Sequence, residues 1–261
     1  MDENKLIEPT PPPPKVESPV EEPQMSAIAA LGNIFIEPGK VFEDMRRKPR
    51  FLVAGILSIM LITLFQVVFT EKIGLETIAR ARIEKSSRMA DMPKDQKEVI
   101  IQGQSGTMAK VITYVATPLV VTIFFVIGAL IYWLGSNAMG GSARFSHGLS
   151  VWFYSMWPQT LMFTIANLVV LFLKSADDID VTQAQQGLIK AGPAMLIDGA
   201  AHPVLQALVS PIDLFQIIGW TLAVIGLQKV AAISRGAALV PVVFLALIGV
   251  SVKVIVAMLF R

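Results

Sequence analysis

FLVAGILSIMLITLFQVVFT, Phe51 to Thr70, runs for 20 residues without a charge. A bilayer's hydrocarbon core is about 30 Å thick and an α-helix rises about 1.5 Å per residue, so roughly 20 apolar residues suffice to cross it. Four further stretches have the same character: Val111 to Leu134, Leu149 to Leu173, Pro211 to Val230 and Ala237 to Phe260. A membrane barrel would instead show alternating segments of about 10 residues. The continuous runs therefore predict an all-α, polytopic membrane protein with five transmembrane helices, at about 51–70, 111–134, 149–173, 211–230 and 237–260.

Composition agrees. The chain has 261 residues, 54% hydrophobic and 16% charged, with a mean hydropathy of +0.61. Soluble domains carry about 25% charged residues. A net charge of +2 gives no reason to expect a nucleic-acid partner. The absence of cysteine excludes disulfides and thiolate chemistry, and only two histidines are present. The N-terminus is acidic and Pro-rich, unlike a cleavable signal, so Phe51 to Thr70 reads as the first signal-anchor.

Three regions follow. Residues 1–25 read as a disordered, Pro-rich acidic tail with polyproline-II character around Pro11 to Pro14. Residues 26–50 read as an interfacial amphipathic segment. There Ser26 is a candidate N-cap, and Ala27, Ile28, Leu31, Ile34 and Phe35 recur at helical spacing. Pro38 can open a second short helix whose Val41, Phe42 and Met45 share a face. Arg46, Arg47, Lys48 and Arg50 follow, and are the candidates for contact with anionic lipid headgroups. Residues 51–261 form the five-helix transmembrane domain.

The polar insert Glu71 to Lys110 predicts two solvated helices, with i,i+4 pairs Glu76–Arg80, Arg80–Glu84 and Glu84–Arg88 and a break near Asp91 and Pro93. Met195 to Ile197 is too short to cross and suits a surface or re-entrant segment. The cations just before the first span favour a cytoplasmic N-terminus, which places the C-terminus outside.

Ionisable or polar residues within spans deserve a functional reading. Asp213 lies just after Pro211, where a helix start would favour an anion by its dipole; a proton or ion relay is the alternative role. Lys253 can snorkel toward the outer interface. With both at the outer leaflet, Asp213 and Lys253 are expected to face each other across the fourth and fifth helices. Asn167 and Gln159 in the third span suit interhelical hydrogen bonds. Pro118 and Pro158 are expected to bend their helices. His147 and His202 stand apart, and no HExxH, GxSxG or phosphate-loop motif is present. Catalytic, cofactor-binding and metal residues are accordingly expected to be none, and cofactors none.

Three patterns together resemble the Yip family of polytopic membrane proteins, named for interaction with Ypt/Rab GTPases. The first is Ile34 to Phe42, containing Pro38 and Phe42, followed by Arg46 to Pro49. The second is Gly140-Gly141, Phe145, Gly148, Tyr154-Ser155 and Pro158. The third is Asp213-Leu214-Phe215, Trp220 and Gly226-Leu227, then Ser234 and Ala237. The resemblance implies a five-helix domain with its N-terminus in the cytoplasm. Eukaryotic members work in vesicle traffic, and some bacterial ones stand beside export systems. This chain is bacterial in style, so the bacterial inner membrane is its expected location. The expected role is a non-enzymatic scaffold or accessory subunit for trafficking or export, with membrane lipid and other membrane proteins as partners. A transporter or channel component is the alternative.

Overall fold

The computed structural model describes residues 25–86, 89, 91–184, 187–189, 191–199 and 201–259. The expected tail, up to residue 24, lies outside them, as do Arg88 and Phe260. The described chain is all-helical: α1 (Ala27–Asn33), α2 (Pro38–Arg47), α3 (Leu52–Ile73), α4 (Leu75–Lys85), α5 (Lys94–Ser105), α6 (Thr107–Ala138), α7 (Phe145–Leu173), α8 (Val181–Ala184), α9 (Pro203–Val209), α10 (Leu214–Val230) and α11 (Arg235–Leu259). Five candidate membrane spans lie among them: Leu52–Ile73, Thr107–Ala138, Phe145–Leu173, Pro203–Val230 and Arg235–Met258.

α7 is the central helix and packs against α3, α6 and α10, while α11 sits outside, against α10, α9 and α6. Backbones approach closely where side chains are small, as expected when lipid gives helices no hydrophobic reason to associate. At Gly148 an added Cβ would stand 2.6 Å from the Ala129 carbonyl oxygen of α6. At Gly226 it would stand 2.8 Å from Val151 and 2.9 Å from the Phe42 ring. Outward, α3 exposes Leu52, Ile56, Met60 and Leu64, and α11 exposes Leu239, Val243, Leu247 and Val252. Apolar stripes of this length on water-facing helices would be an aggregation liability; facing lipid they are the expected surface.

Several boundaries differ from expectation. The second and third spans begin four residues early, at Thr107 and Phe145, because polar termini continue the helix beyond the apolar run. The fourth does not start at Pro211: the candidate span opens at Pro203 with α9. α10 begins at Leu214, after a turn, because Asp213 acts as its N-cap and accepts from Phe215 N at 3.0 Å. Pro118 and Pro158 lie inside helices that remain continuous, and Pro241 does the same in α11.

Residues 26–50 are helical as read, and Ser26 Oγ accepts from Ala29 N at 3.1 Å. Their apolar faces, however, turn into protein. Val41, Phe42 and Met45 are fully buried in the main core, with α2 lying along α10. In α1 the buried residues are Ala30 and Leu31, joined by Ile34, while Ile28 and Phe35 are exposed at 76% and 47%. Tyr154 Oη donates to Ala27 O at 3.2 Å and Trp157 Nε1 to Leu31 O at 3.2 Å, so α7 holds α1 by its backbone carbonyls.

The bundle thus has two unlike ends. A basic end carries α1, α2 and the short turns at 139–144 and 231–234; a looped end carries α4, α5, the described residues between 174 and 213, and the end of α11. In the insert Arg80 pairs with Glu76 and reaches across to Glu98 on α5, both at 3.1 Å. These hydrogen bonds, Glu98 foremost, raise the Arg80 pKa above its ordinary value. Lys110 on α6 pairs with Glu71 on α3 at 2.7 Å.

Candidate functional site

At the looped end α7, α9, α10 and α11 line an open cavity of about 240 Å³. Gln159 enters from α7, Gln206 from α9, Asp213 and Gln216 from the start of α10, and Lys253 from α11, with Ser210 completing the polar lining. The expected facing of Asp213 and Lys253 is present in that both line this one cavity, but they form no direct ion pair. Lys253 Nζ bonds Ser210 Oγ at 3.1 Å. Asp213 Oδ2 accepts from Ala191 N at 2.7 Å while its Oδ1 caps α10, so the carboxylate pins the preceding loop to the helix start. Gln159 Nε2 donates to Gln216 Oε1 at 3.1 Å, the interhelical bond expected of a polar residue in this span. Its own Oε1 is buried without a hydrogen-bond partner. The arrangement offers one cation, one anion and amides around space larger than a single water needs, which suits a polar or zwitterionic group.

Asn167 departs from the expected interhelical role. It is fully buried; its Nδ2 donates to Phe163 O at 2.7 Å, and its Oδ1 accepts from Leu188 N at 2.5 Å and Ile189 N at 3.2 Å. It therefore ties a loop, not a second helix, to α7. Lys72, which sequence reading passed over, donates to Leu171 O and to Lys174 O at 2.6 Å, satisfying carbonyls at the C-terminus of α7.

At the basic end Arg46, Arg47 and Lys48 are exposed, as are Arg144 and Arg235 on the neighbouring turns. Arg50 differs from the expected lipid-facing cation. Its Nη1 lies 3.4 Å from Asp44 Oδ2, close enough for an ion pair although not aligned as a hydrogen bond, and both side chains are largely buried. An arginine turned toward a buried aspartate is removed from headgroup contact. Lys229 on α10 bonds Glu43 on α2 at 3.0 Å. That hydrogen bond, with the lysine's charge, holds the Glu43 carboxyl below its ordinary 4.5. His147 Nδ1 accepts from Arg144 N at 2.9 Å, capping α7. Among the described residues no three His, Asp or Glu side chains gather as a metal site.

A family model described as the Yip1 domain matches residues 32–255. The chain belongs to the Yip1 domain family. Neither curated proteins nor solved structures give a match. In this Yip1 domain the residues that carried the resemblance sit at packing junctions. Pro38 opens α2 at its first turn, and Phe42 fills the seat between Val151 and Gly226. Pro49 lies in the link from α2 to α3. Gly140 turns the chain with φ +89°, a backbone conformation that L side chains seldom adopt, and Gly141 abuts Ser136 O. Asn137, another residue that sequence reading missed, holds the turn by exchanging hydrogen bonds with Ala143 at 2.9 Å. Phe145 packs edge-on to Trp133 at 5.8 Å, and Phe215 edge-on to Phe163 at 6.0 Å. Tyr154 and Pro158 are fully buried, and Trp220 lines a groove between α10 and α11.

Proposed function

We propose that this Yip1-domain chain is a non-enzymatic scaffold or accessory subunit for membrane trafficking or export, holding other membrane proteins in the plane of a bacterial cytoplasmic membrane. The observation that carries this reading is the use made of the polar residues within the bundle. Asn167, Asp213, Lys253, Tyr154 and Trp157 all bond groups of this same chain, and four of them bond its backbone. Side chains so engaged build a rigid platform. The orientation that fits has the basic end in the cytoplasm: Arg46, Arg47, Lys48, Arg144 and Arg235 flank short connections there, the places where positive charge sets topology. Arg46, Arg47 and Lys48 then meet anionic headgroups.

Affinity capture of the tagged protein in mild detergent tests the role. Reproducible recovery of membrane subunits of an export or trafficking assembly is the expected result, and recovery of no membrane protein refutes it. Orientation is read in the cysteine-free chain by placing one cysteine at Lys48 or at Lys174. An impermeant thiol reagent added outside intact cells should label only the second. The cavity between Asp213 and Lys253 favours a second reading, a transporter component. Solute flux in proteoliposomes that Asp213→Asn abolishes would establish it in place of the scaffold.

A further inference from the structure

The polar cavity at the looped end does not stand alone. A groove of about 610 Å³ runs along α10 and α11, from Leu208, Pro211 and Ile212 at that end to Gln228 and Arg235 at the other. Ile212 lines both spaces. The groove's α11 wall includes Leu239, Val243 and Leu247, which also face outward. From Arg235 to Lys253 the helix rises about 27 Å, close to the thickness of the hydrocarbon core. With Arg235 among the headgroups of one leaflet, Lys253 and the cavity stand at the headgroup level of the other. A polar compartment at that level thus lies beside an apolar trough that runs through the hydrocarbon.

We propose that the cavity and groove hold one phospholipid whose headgroup carries a primary ammonium, with an acyl chain along α10 and α11. The charges define the headgroup. Among the described residues the Lys253 ammonium bonds Ser210 Oγ, which leaves N–H donors for a phosphate. Among the described residues Asp213 accepts one backbone N–H on each oxygen, which leaves acceptor capacity on a carboxylate that has about four lone-pair sites. Lys253 and Asp213 line one cavity without pairing directly. A phosphate on Lys253 and an ammonium on Asp213 join them. A choline headgroup has no N–H and leaves the acceptors unmet; a glycerol headgroup supplies donors but no positive charge. The groove assigns the source to a lipid instead of a free solute.

Native mass spectrometry of the full-length protein, delipidated in detergent, tests this. Ethanolamine, choline and glycerol phospholipids of one acyl composition are titrated separately. A single ethanolamine-lipid adduct is expected at concentrations about tenfold below those needed for the other two, the effect of about one buried charge-assisted hydrogen bond. The preference should vanish in Asp213→Asn, which keeps an N-capping oxygen, whereas Lys253→Met, which keeps the aliphatic stem, should weaken all three lipids alike because each carries the phosphate. Equal retention of the three lipids by the wild type, a preference unchanged in Asp213→Asn, or retention unchanged in Lys253→Met overturns the proposal. So does displacement of the lipid by soluble phosphoethanolamine at the lipid's own concentration, which would assign the cavity to a free solute. The wild-type comparison needs no variant, so a variant that misfolds leaves the test intact. No partner protein enters it, so its failure is distinguishable from failure of the scaffold reading.

Discussion

Replacing Phe42 by alanine should free α2 from the bundle while leaving the bundle standing. Phe42 is fully buried, and its ring fills the space left by Gly226 against Val151. Phe→Ala in a core costs about 3–5 kcal/mol, part lost transfer and part cavity. Between helices in lipid the transfer part is small, because lipid is as apolar as the site. α2 is a different case: Glu43, Arg46 and Arg47 keep it out of the hydrocarbon when it undocks, so it moves into headgroups or water and the transfer part applies. Taking the lower figure, about 3 kcal/mol multiplies the undocked population by roughly 150. Hydrogen exchange of the α2 amides in lipid nanodiscs reads this population directly. Exchange across Val41 to Arg47 should accelerate about a hundredfold in the variant, while amides around Val151 to Ser155 of α7 stay within about tenfold. Unchanged α2 protection in a folded variant would mean that the Phe42 seat does not hold the segment.

Three further outcomes follow from other contacts. Gly148→Ala drives a Cβ to 2.6 Å from the Ala129 carbonyl, and backbone cannot step aside as a side chain can; a loss of about 1–3 kcal/mol, seen as a lower melting temperature in detergent, is expected, and an unaltered melt refutes the close approach. Asn167→Ala leaves the Leu188 and Ile189 amides without their acceptor; their exchange should rise about tenfold or more, from an unmet bond worth about 1–3 kcal/mol. Because Glu43 titrates below its ordinary value beside Lys229, the pair stabilises the docked α2 above pH 4.5 and its contribution is lost as pH falls through the lowered value. Both side chains are partly exposed, so the effect is below about 1 kcal/mol, and Glu43→Gln should flatten the melting temperature's dependence on pH in that acid range.

Phe51 to Thr70 and its four counterparts could be read as spans because lipid imposes a length and a composition on any helix that crosses it. The Arg80–Glu76 pair and the break before Lys94 were legible for a similar reason: both are set within a few residues. What covers a face is another matter. Val41, Phe42 and Met45 recur at helical spacing whether lipid or protein lies over them, so the sequence showed the face of α2 and not its neighbour. Ile28 and Ala30 illustrate the same limit: the larger side chain is exposed and the smaller buried, because α1 fits close against the bundle. Asp213 was read as a helix-start carboxylate, but the start itself moved to Leu214 because its side chain satisfies a backbone N–H that Pro211 cannot. In the cavity, Asp213 and Lys253 could be placed on one leaflet by counting residues, whereas Gln206, Ser210 and Gln216 are brought there by turns at 210–213 that no periodicity announces. Asn167 likewise bonds a loop some 20 residues further along.

The seat of Phe42 also sets an order for making the protein. Its walls are Val151 and Gly226, and the latter is about 180 residues downstream. At roughly 5–20 residues per second a ribosome needs about 10–40 s to cover that distance. Throughout that interval α2 lacks its α10 wall, and its greasy side is only partly covered by the helices already made. A nascent chain halted before the fourth crossing would keep α2 in that half-covered condition, so exposure near the front of the polypeptide would report whether the back has been inserted.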